Sequence, residues 1–480
     1  MRGTQELESK IIRWREKAKY RCKEIESLKK RKKELILSRD SWKRKYVLSK
    51  SRNALLEKEL RKSENRSVAI DAKKVKPKHH SYSVVVILLC IWLRQQGNCS
   101  LRCCSKMLGI MSFVLELELN FPCANTIQNW EKKLGHYRLG HEYESKGNWI
   151  IILDESIVMG EQKLLLVLGV NMDGYKFGKP LCFSQVSVLD MGISKTWKGE
   201  GISIRLEALK EKGFNFEYGV SDGGKNLLKA LRMNGIYRIP DCTHAIGNLL
   251  KNQYAKNKGF MDFIGHCALL RRDVYMGRNT AIIPPKQRKK GRFLNLSPLS
   301  SWAYKMLLLL GSKESGLTDS QREKLLWLEG YRKLIHEMKK HCEAMNRIFQ
   351  ILKTDGLDKV TSQKCKVVLE EHGCSPFFST GVNQYLDDSL GIIEKNHPLV
   401  CCSDIIESVF GKYKNLLGNS TQKMINDNCL AIPNFNQDFE IEEIKAAMEK
   451  IKIVDLLKWK NGNSPSNLIT EKRHLFKNTG

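Results

Sequence analysis

Between Trp149 and His244 the chain changes periodicity repeatedly, and the order of those changes admits few folds. The apolar run Ile150–Leu153 in "WIIILDESIV" reads as a buried strand, and "KLLLVLGVNM" (Lys163–Met172) reads as a second. An Asp173-Gly174 turn leads to a third, "PLCFSQVSVLD" (Pro180–Asp190), and Asp-Gly between strand-like runs predicts a hairpin. A helix over Ile202–Lys212, a strand over Phe216–Asp222, a helix over Asn226–Asn234 and a strand over Ile236–Asp241 follow, with another helix beginning near His244. A three-strand meander followed by alternating helices and strands predicts an α/β fold, with helices covering both faces of a mixed sheet. This is the element order of a ribonuclease-H-like sheet.

Acids stand where such a core would not ordinarily take them. Asp154 follows the first strand, Asp222 follows the fourth, and Glu407 sits in the apolar helical context "DIIESVF". Burying a carboxylate is costly unless a cation or hydrogen-bond donors meet it. In the inferred order strands one and four are central neighbours, so Asp154 and Asp222 would meet, and a late helix could supply the third acid. Clustered carboxylates repel one another, and divalent metal ions are the usual compensation. Two Mg²⁺ (or Mn²⁺) ions in such a cluster would serve phosphodiester chemistry. Competing assignments are Glu155 for the first acid, and Asp404 or Glu394 for the third. Asp222 stands before Gly223-Gly224, a combination that ordinary turns also use.

The charge balance points to a polyanionic partner. The chain's 480 residues carry 82 Lys+Arg against 52 Asp+Glu, a net charge of +30 with a pI near 9.5. An excess of that size favours nucleic acid through release of its counterions. The longest apolar run, "YSVVVILLCIWL" (Tyr82–Leu93), is too short to span a bilayer, and no signal-peptide pattern opens the chain. The expectation is therefore a cytoplasmic, nucleoid-associated protein without membrane attachment. The 15 cysteines are scattered and contain no Cys-x-x-Cys, which fits a reducing compartment. Cys99, Cys103, His136 and His141 are the nearest approach to a zinc set, but their separations are loose.

The flanks predict further parts. Residues 1–70 read as a basic coiled-coil arm: Trp14, Leu28, Leu35 and Trp42 recur at heptad spacing, interrupted by Arg21. After the basic linker "KKVKPKHH" (Lys73–His80), residues 81–145 form a helical cluster. Its last helix, Pro122–Leu139, is expected to be capped by Asn125 and to expose Gln128, Asn129, Lys132 and Lys133 to DNA, as in a helix-turn-helix. Residues 146–258 hold the first part of the catalytic core, and 259–396 form a helical insertion. Residues 397–425 return the final core helix, and 426–480 form a C-terminal helical region with a flexible tail. Inside the insertion, the basic stretch Lys286, Arg288, Lys289, Lys290 and Arg292 reads as an exposed loop for phosphate contact. Trp302 and Trp327 read either as insertion core or as a platform for a flipped base.

Taken together, "DES" (Asp154–Ser156), "SDGG" (Ser221–Gly224), "DCTH" (Asp241–His244) and "ESVFGKYK" (Glu407–Lys414) resemble the motif series of a DDE-type transposase of a bacterial insertion sequence. The resemblance covers Trp149 to about Leu417 and includes an insertion before the Glu. It implies that Asp154, Asp222 and Glu407 are catalytic and bind two metal ions, with Asp241 and His244 supporting the site from behind. It also implies that Lys414, two helical turns after Glu407, contacts DNA, and that a homodimer or higher multimer joins two transposon ends to target DNA. Rival readings are a ribonuclease-H-like nuclease or resolvase that cuts without joining, and a DNA-binding protein whose chemistry has decayed.

Overall fold

A computed structural model of the chain describes residues 75–114, 120–140, 147–159, 162–275, 279–286, 296–312, 314–417, 425–436 and 439–463, with Arg21 and Phe476; for 156–159 only the backbone is described. The expected coiled-coil arm lies outside the described residues except for Arg21. Met1–Val75 and Lys76–Gly480 form separate compact units, and everything below belongs to the second.

The unit opens with helices α1 (Val84–Gln95), α2 (Leu101–Val114) and α3 (Ala124–Gly140). Ser83 caps α1 by accepting from the Val86 amide, and Val84, Ile87, Leu88 and Ile91 are buried at helical spacing. The α3 helix starts at Ala124, so Asn125 lies inside its first turn and is not the cap.

The sheet comprises β1 (Asn148–Met159), β2 (Gln162–Asn171) and β3 (Ser187–Ser194), then α4 (Gly199–Glu211), β4 (Asn215–Ser221), α5 (Lys225–Met233) and β5 (Arg238–Pro240). Its spatial order is β3-β2-β1-β4-β5, with β2 antiparallel to both β1 and β3, and β4 parallel to both β1 and β5. This five-stranded mixed sheet in an α/β unit is compatible with a ribonuclease-H-like arrangement. β1 explains its own sequence. Ile150 and Ile152 face one core, while Trp149, Ile151 and Leu153 face the other, against α4 and α5. A strand buried on both faces must be apolar throughout.

Two strand expectations are corrected. β1 does not stop at Leu153 but continues through Asp154 to Met159, with a register shift against β2 between Asp154 and Ile157. The Asp173-Gly174 turn does not close a tight hairpin, since β3 starts only at Ser187. The intervening segment packs its own aromatics: Tyr175 meets Phe177 edge-on, and Phe183 meets Phe435.

Helix α6 (Cys242–Tyr254) leads into the helical insertion: α7 (Lys258–Val274), α8 (Leu296–Gly311), α9 (Asp319–Leu325), α10 (Arg332–Asp355), α11 (Lys359–Glu371) and α12 (Pro376–Ile392). Its apolar faces continue the core under β1 and β4. The chain then returns as α13 (Asp404–Leu417), packed on the sheet with Ile406, Val409, Phe410 and Tyr413 buried. A 3₁₀ stretch (Asp427–Asn436), α14 (Ile441–Lys450) and α15 (Ile453–Asn463) complete the unit. These last elements pack against α1 and α3, and Gly135 records how closely. A Cβ at that position would lie 1.5 Å from the Leu430 carbonyl oxygen, so no larger residue fits without moving backbone.

Candidate active site

The parallel register of β1 and β4 positions the first two acids. Its last pair is Ile152 with Val220, and both residues face the core beneath α13. Asp154 and Asp222 each lie two residues further on, so they return to that same face at the end of neighbouring strands. Adjacent strands run about 4.8 Å apart. The register shift after Asp154 lets β1 continue its ladder with β2 while the carboxylate stays at the rim, a common role of β-bulges beside active sites.

Local donors hold both acids. The Glu155 amide donates to Asp154 Oδ1 at 2.7 Å, and the Gly224 amide donates to Asp222 Oδ1 at 2.9 Å. Glu155 itself faces Lys163 at 3.5 Å across the β1–β2 ladder. That separates the two adjacent acids: Asp154 lies on the α13 side, and Glu155 is engaged by the neighbouring strand.

Glu407 approaches from α13 and meets His244, although among the described residues its carboxylate does not gather with those of Asp154 and Asp222 within 4.8 Å. Its side chain is 64 % exposed, with Oε1 3.9 Å from His244 Nε2; the same imidazole nitrogen is 4.0 Å from Asp241 Oδ2. These are ion-pair separations longer than hydrogen bonds. Glu407 first, then Asp241 and Asp222, raise the His244 pKa to about 9 against the opposing effect of burial. His244 thus reports a concentration of negative charge contributed by Asp222, Asp241 and Glu407 together.

Asp241 supports the site from beneath. It is 1 % exposed and caps α6, and burial raises its pKa. Its oxygens accept from the His244 amide (3.1 Å), the Ser403 amide (2.9 Å) and the Thr243 hydroxyl (2.8 and 3.0 Å). One carboxylate therefore fixes both the start of α6 and the approach to α13. Cys242 and Cys402 stand beside it, and the three donor atoms lie within 4.8 Å of one another. With both Asp241 oxygens already committed to donors, this trio reads as packing at the helix junction.

The competing third acids are placed elsewhere. Asp404 forms an ion pair with Lys353 and accepts from Thr243 Oγ1 at 3.0 Å. Burial alone would raise its pKa, but Lys353 and Thr243 hold it low. Glu394 is exposed in the connection after α12. The structure adds one residue that the sequence reading passed over. Arg238 Nη2 donates to the Ser221 and Asp222 carbonyls at 3.1 and 3.0 Å, tying β5 to the end of β4. Its signal was a lone arginine inside the strand-like "IYRIPD".

The candidate DNA contacts divide sharply. Lys414 is exposed on α13, on the side that carries Glu407, and Lys286 is exposed; Arg288, Lys289, Lys290 and Arg292 lie outside the described residues. On α3 the expected exposure is corrected. Lys132 and Lys133 are buried at 9 % exposure, and Gln128 and Asn129 are half-buried. Lys132 pairs with Asp427 at 2.7 Å, Lys133 donates to the Met448 carbonyl at 3.2 Å, and Gln128 donates to Asn428 at 2.9 Å. The C-terminal elements cover the face that would have read DNA.

Trp302 and Trp327 are half-buried against the insertion core, Trp327 stacked on His266 at 5.2 Å. Among the described residues Cys99, Cys103 and His136 do not gather as metal donors. His141 is outside them. No described helix is long and apolar enough to cross a membrane.

No protein-family model matches the chain, and no curated protein matches it. A solved structure, described as the Drosophila P element transposase strand transfer complex, is similar over 82 % of this chain and 98 % of that one. The identity is 13 % and the TM-score 0.40, a likeness too slight to establish a shared fold.

Proposed function

We propose that this chain is a DDE-type DNA transposase with a ribonuclease-H-like core, in which Asp154, Asp222 and Glu407 are the catalytic acids. The observation that supports the reading is the β1–β4 register, in which Asp154 and Asp222 each follow the last paired residue, Ile152 and Val220, by two positions on neighbouring parallel strands. The donor set fits hard divalent cations. All three ligands are carboxylate oxygens, and their environment is negative enough to hold a neighbouring histidine protonated. When bound, a pair of Mg²⁺ or Mn²⁺ ions supplies charge stabilisation and an acidified water for attack on a phosphodiester.

The protein's own groups position and orient. Asp241 locks α6 and α13 in register, which places His244 against Glu407. Arg238 fixes the backbone that presents Asp222. His244, cationic at neutral pH, offsets the carboxylates at the rim, and Lys414 offers a positive charge where the DNA backbone would run. Hydrolysis at the transposon end frees a 3′-hydroxyl, which then attacks target DNA in line. One phosphodiester bond breaks for each that forms, and no protein side chain becomes covalently linked. Joining two ends requires a multimer.

The test uses the full chain with a precut end and target DNA in Mn²⁺. Asp154→Asn, Asp222→Asn and Glu407→Gln should each lower strand transfer by on the order of 10³-fold while end binding persists. Asp404→Asn should keep most activity. If Glu407→Gln stayed active and Asp404→Asn did not, the third assignment would be wrong. Cleavage without joining in the wild type would leave a nuclease.

A further inference from the structure

The site described above meets only the last turn of α10, where Lys353 pairs with Asp404 one turn before Glu407. The first half of that helix carries charge that the chemistry does not use. α10 runs for 24 residues without Gly or Pro and buries Ile335, Met338, Met345, Ile348 and Leu352 along one face, so both halves belong to one supported helix. Beside its first half lies a cleft of about 460 Å³, closed on the other side by Gly373 and Ser375 of the α11–α12 turn. Arg332, Lys333, His336 and Lys340 line it from α10. Lys333 and Lys340 are seven residues apart, two helical turns, and therefore share a face.

The charges around this cleft are of two kinds. Arg332 faces Glu329 at 2.5 Å, and the carboxylate in the wall, Glu337, accepts from Gln253 Nε2 at 2.6 Å. Further along α10, Lys339 faces Glu343 at 2.7 Å. Lys333 and Lys340, by contrast, are exposed and make no ion pair among the described residues. Two ammonium groups about 10 Å apart along the helix suit a polyanion, which offers charge at both, better than a single carboxylate.

We propose that this cleft holds the backbone of duplex DNA, with Lys333 and Lys340 each neutralising a phosphate at a set distance from the acids. The placement rests on the transposase reading; the DNA contact does not. Lys340 and Lys333 precede Lys353 by 13 and 20 residues, about 20 and 30 Å along the helix. A duplex rises about 3.4 Å per base pair. One that lies along α10 with its reacting phosphate at the acids therefore reaches the cleft about six to nine base pairs away. The insertion would then act as a ruler, gripping the substrate beyond the reacting end.

Binding of the full chain to a mixed-sequence duplex of about 30 base pairs, in EDTA so that no chemistry occurs, tests the contact. Replacing both lysines, Lys333→Gln with Lys340→Gln, should lower the slope of log K against log salt by about 1.8. Between about 50 and 200 mM salt the wild type should therefore lose about tenfold more affinity than this variant. Lys339→Gln, which removes a lysine already paired with Glu343, should keep the wild-type slope, and thermal unfolding checks that both variants fold. An unchanged slope in the double variant, or an equal drop in Lys339→Gln, would overturn the proposal. Strand transfer in Mn²⁺ with hairpin-capped ends of about 5 or about 15 base pairs tests the placement. The double variant should raise KM about tenfold on the longer end and leave it unchanged on the shorter; an equal effect on both would overturn the ruler. Absence of strand transfer by the wild type, with the slope difference intact, would remove the catalytic reading and the placement together and keep the DNA contact. An unchanged slope with strand transfer intact would do the reverse.

Discussion

At the carboxyl ends of β1 and β4 the acids meet backbone amides and one histidine, whereas along α3 the charged side chains are consumed by sequence-distant parts of the chain. Glu407 is 64 % exposed and, among the described residues, meets His244 at ion-pair range, and Asp222 accepts the Gly224 amide. On α3, by contrast, Lys132 faces Asp427, and Arg138 makes a two-pronged pair with Glu443 at 2.6 and 2.7 Å. Both regions are rich in charge, but Glu407 and Lys414 stay exposed while Lys132 and Lys133 are buried. The difference teaches that charge on a helix identifies a binding surface only when its partners in sequence-distant segments are known.

That contrast can be broken at several points. The largest expected effect is at Arg138, whose side chain is 5 % exposed. Arg138→Ala should destabilise the compact unit by about 3 kcal/mol, because it leaves Glu443 and the Pro433 carbonyl without their donor. Urea unfolding measures this, and a loss below about 1 kcal/mol would mean that the C-terminal elements are held by apolar packing alone.

Lysines of the two regions should respond oppositely. Lys132→Met should cost about 1.5 kcal/mol of stability, since Lys460 at 3.8 Å from Asp427 covers only part of the loss. Lys414→Ala should leave unfolding unchanged and lower the salt slope of DNA binding by about 0.9. If Lys132→Met changed the salt slope at constant stability, the buried helix would be a DNA surface after all.

The smallest effect sharpens the acidic end. The His244 pKa is raised to about 9 in the folded chain from an ordinary value of 6.5. Its contribution to stability is therefore fully present below pH 6.5 and is lost as pH rises through 9. The side chain is 41 % exposed, so solvent screening keeps the effect small. Unfolding measured at pH 6 and pH 9.5 should show it in the wild type and not in His244→Asn. Adding Mg²⁺ should lower the same pKa as the carboxylates gain a metal partner, and an NMR titration unmoved by Mg²⁺ would argue that the acids do not hold it.

Much of the sheet was legible in the chain, and the reasons are local. Buried strands must be apolar throughout, which exposed β1 and β2 in "WIIIL" and "KLLLVLGV". The Asp241 cap could be read from "DCTH", since aspartate before a helix satisfies its opening amides. The Asp-Gly signal misled because the residues after it carry aromatics with distant partners, so the expected hairpin became a long connection. The α3 face misled for the same reason: its covering segment begins at Asp427, nearly three hundred residues away. A sequence signal for that burial did exist. Gly135 in the middle of a helix lowers helix propensity by about 1 kcal/mol against alanine, which calls for a packing reason, and Leu430 supplies it.

By itself the sequence determined the order of strands and helices, the positions of the acids in that order, and the excess of positive charge. Those follow from periodicity, capping chemistry and composition, which act over a few residues at a time or over the whole chain at once. Only the tertiary structure decided that Glu407 rather than Asp404 faces His244, because the helix return after the insertion gives Asp404 to Lys353. Only it decided that the lysines of α3 point inward, since burying a charge depends on a counter-charge whose arrival no local pattern announces.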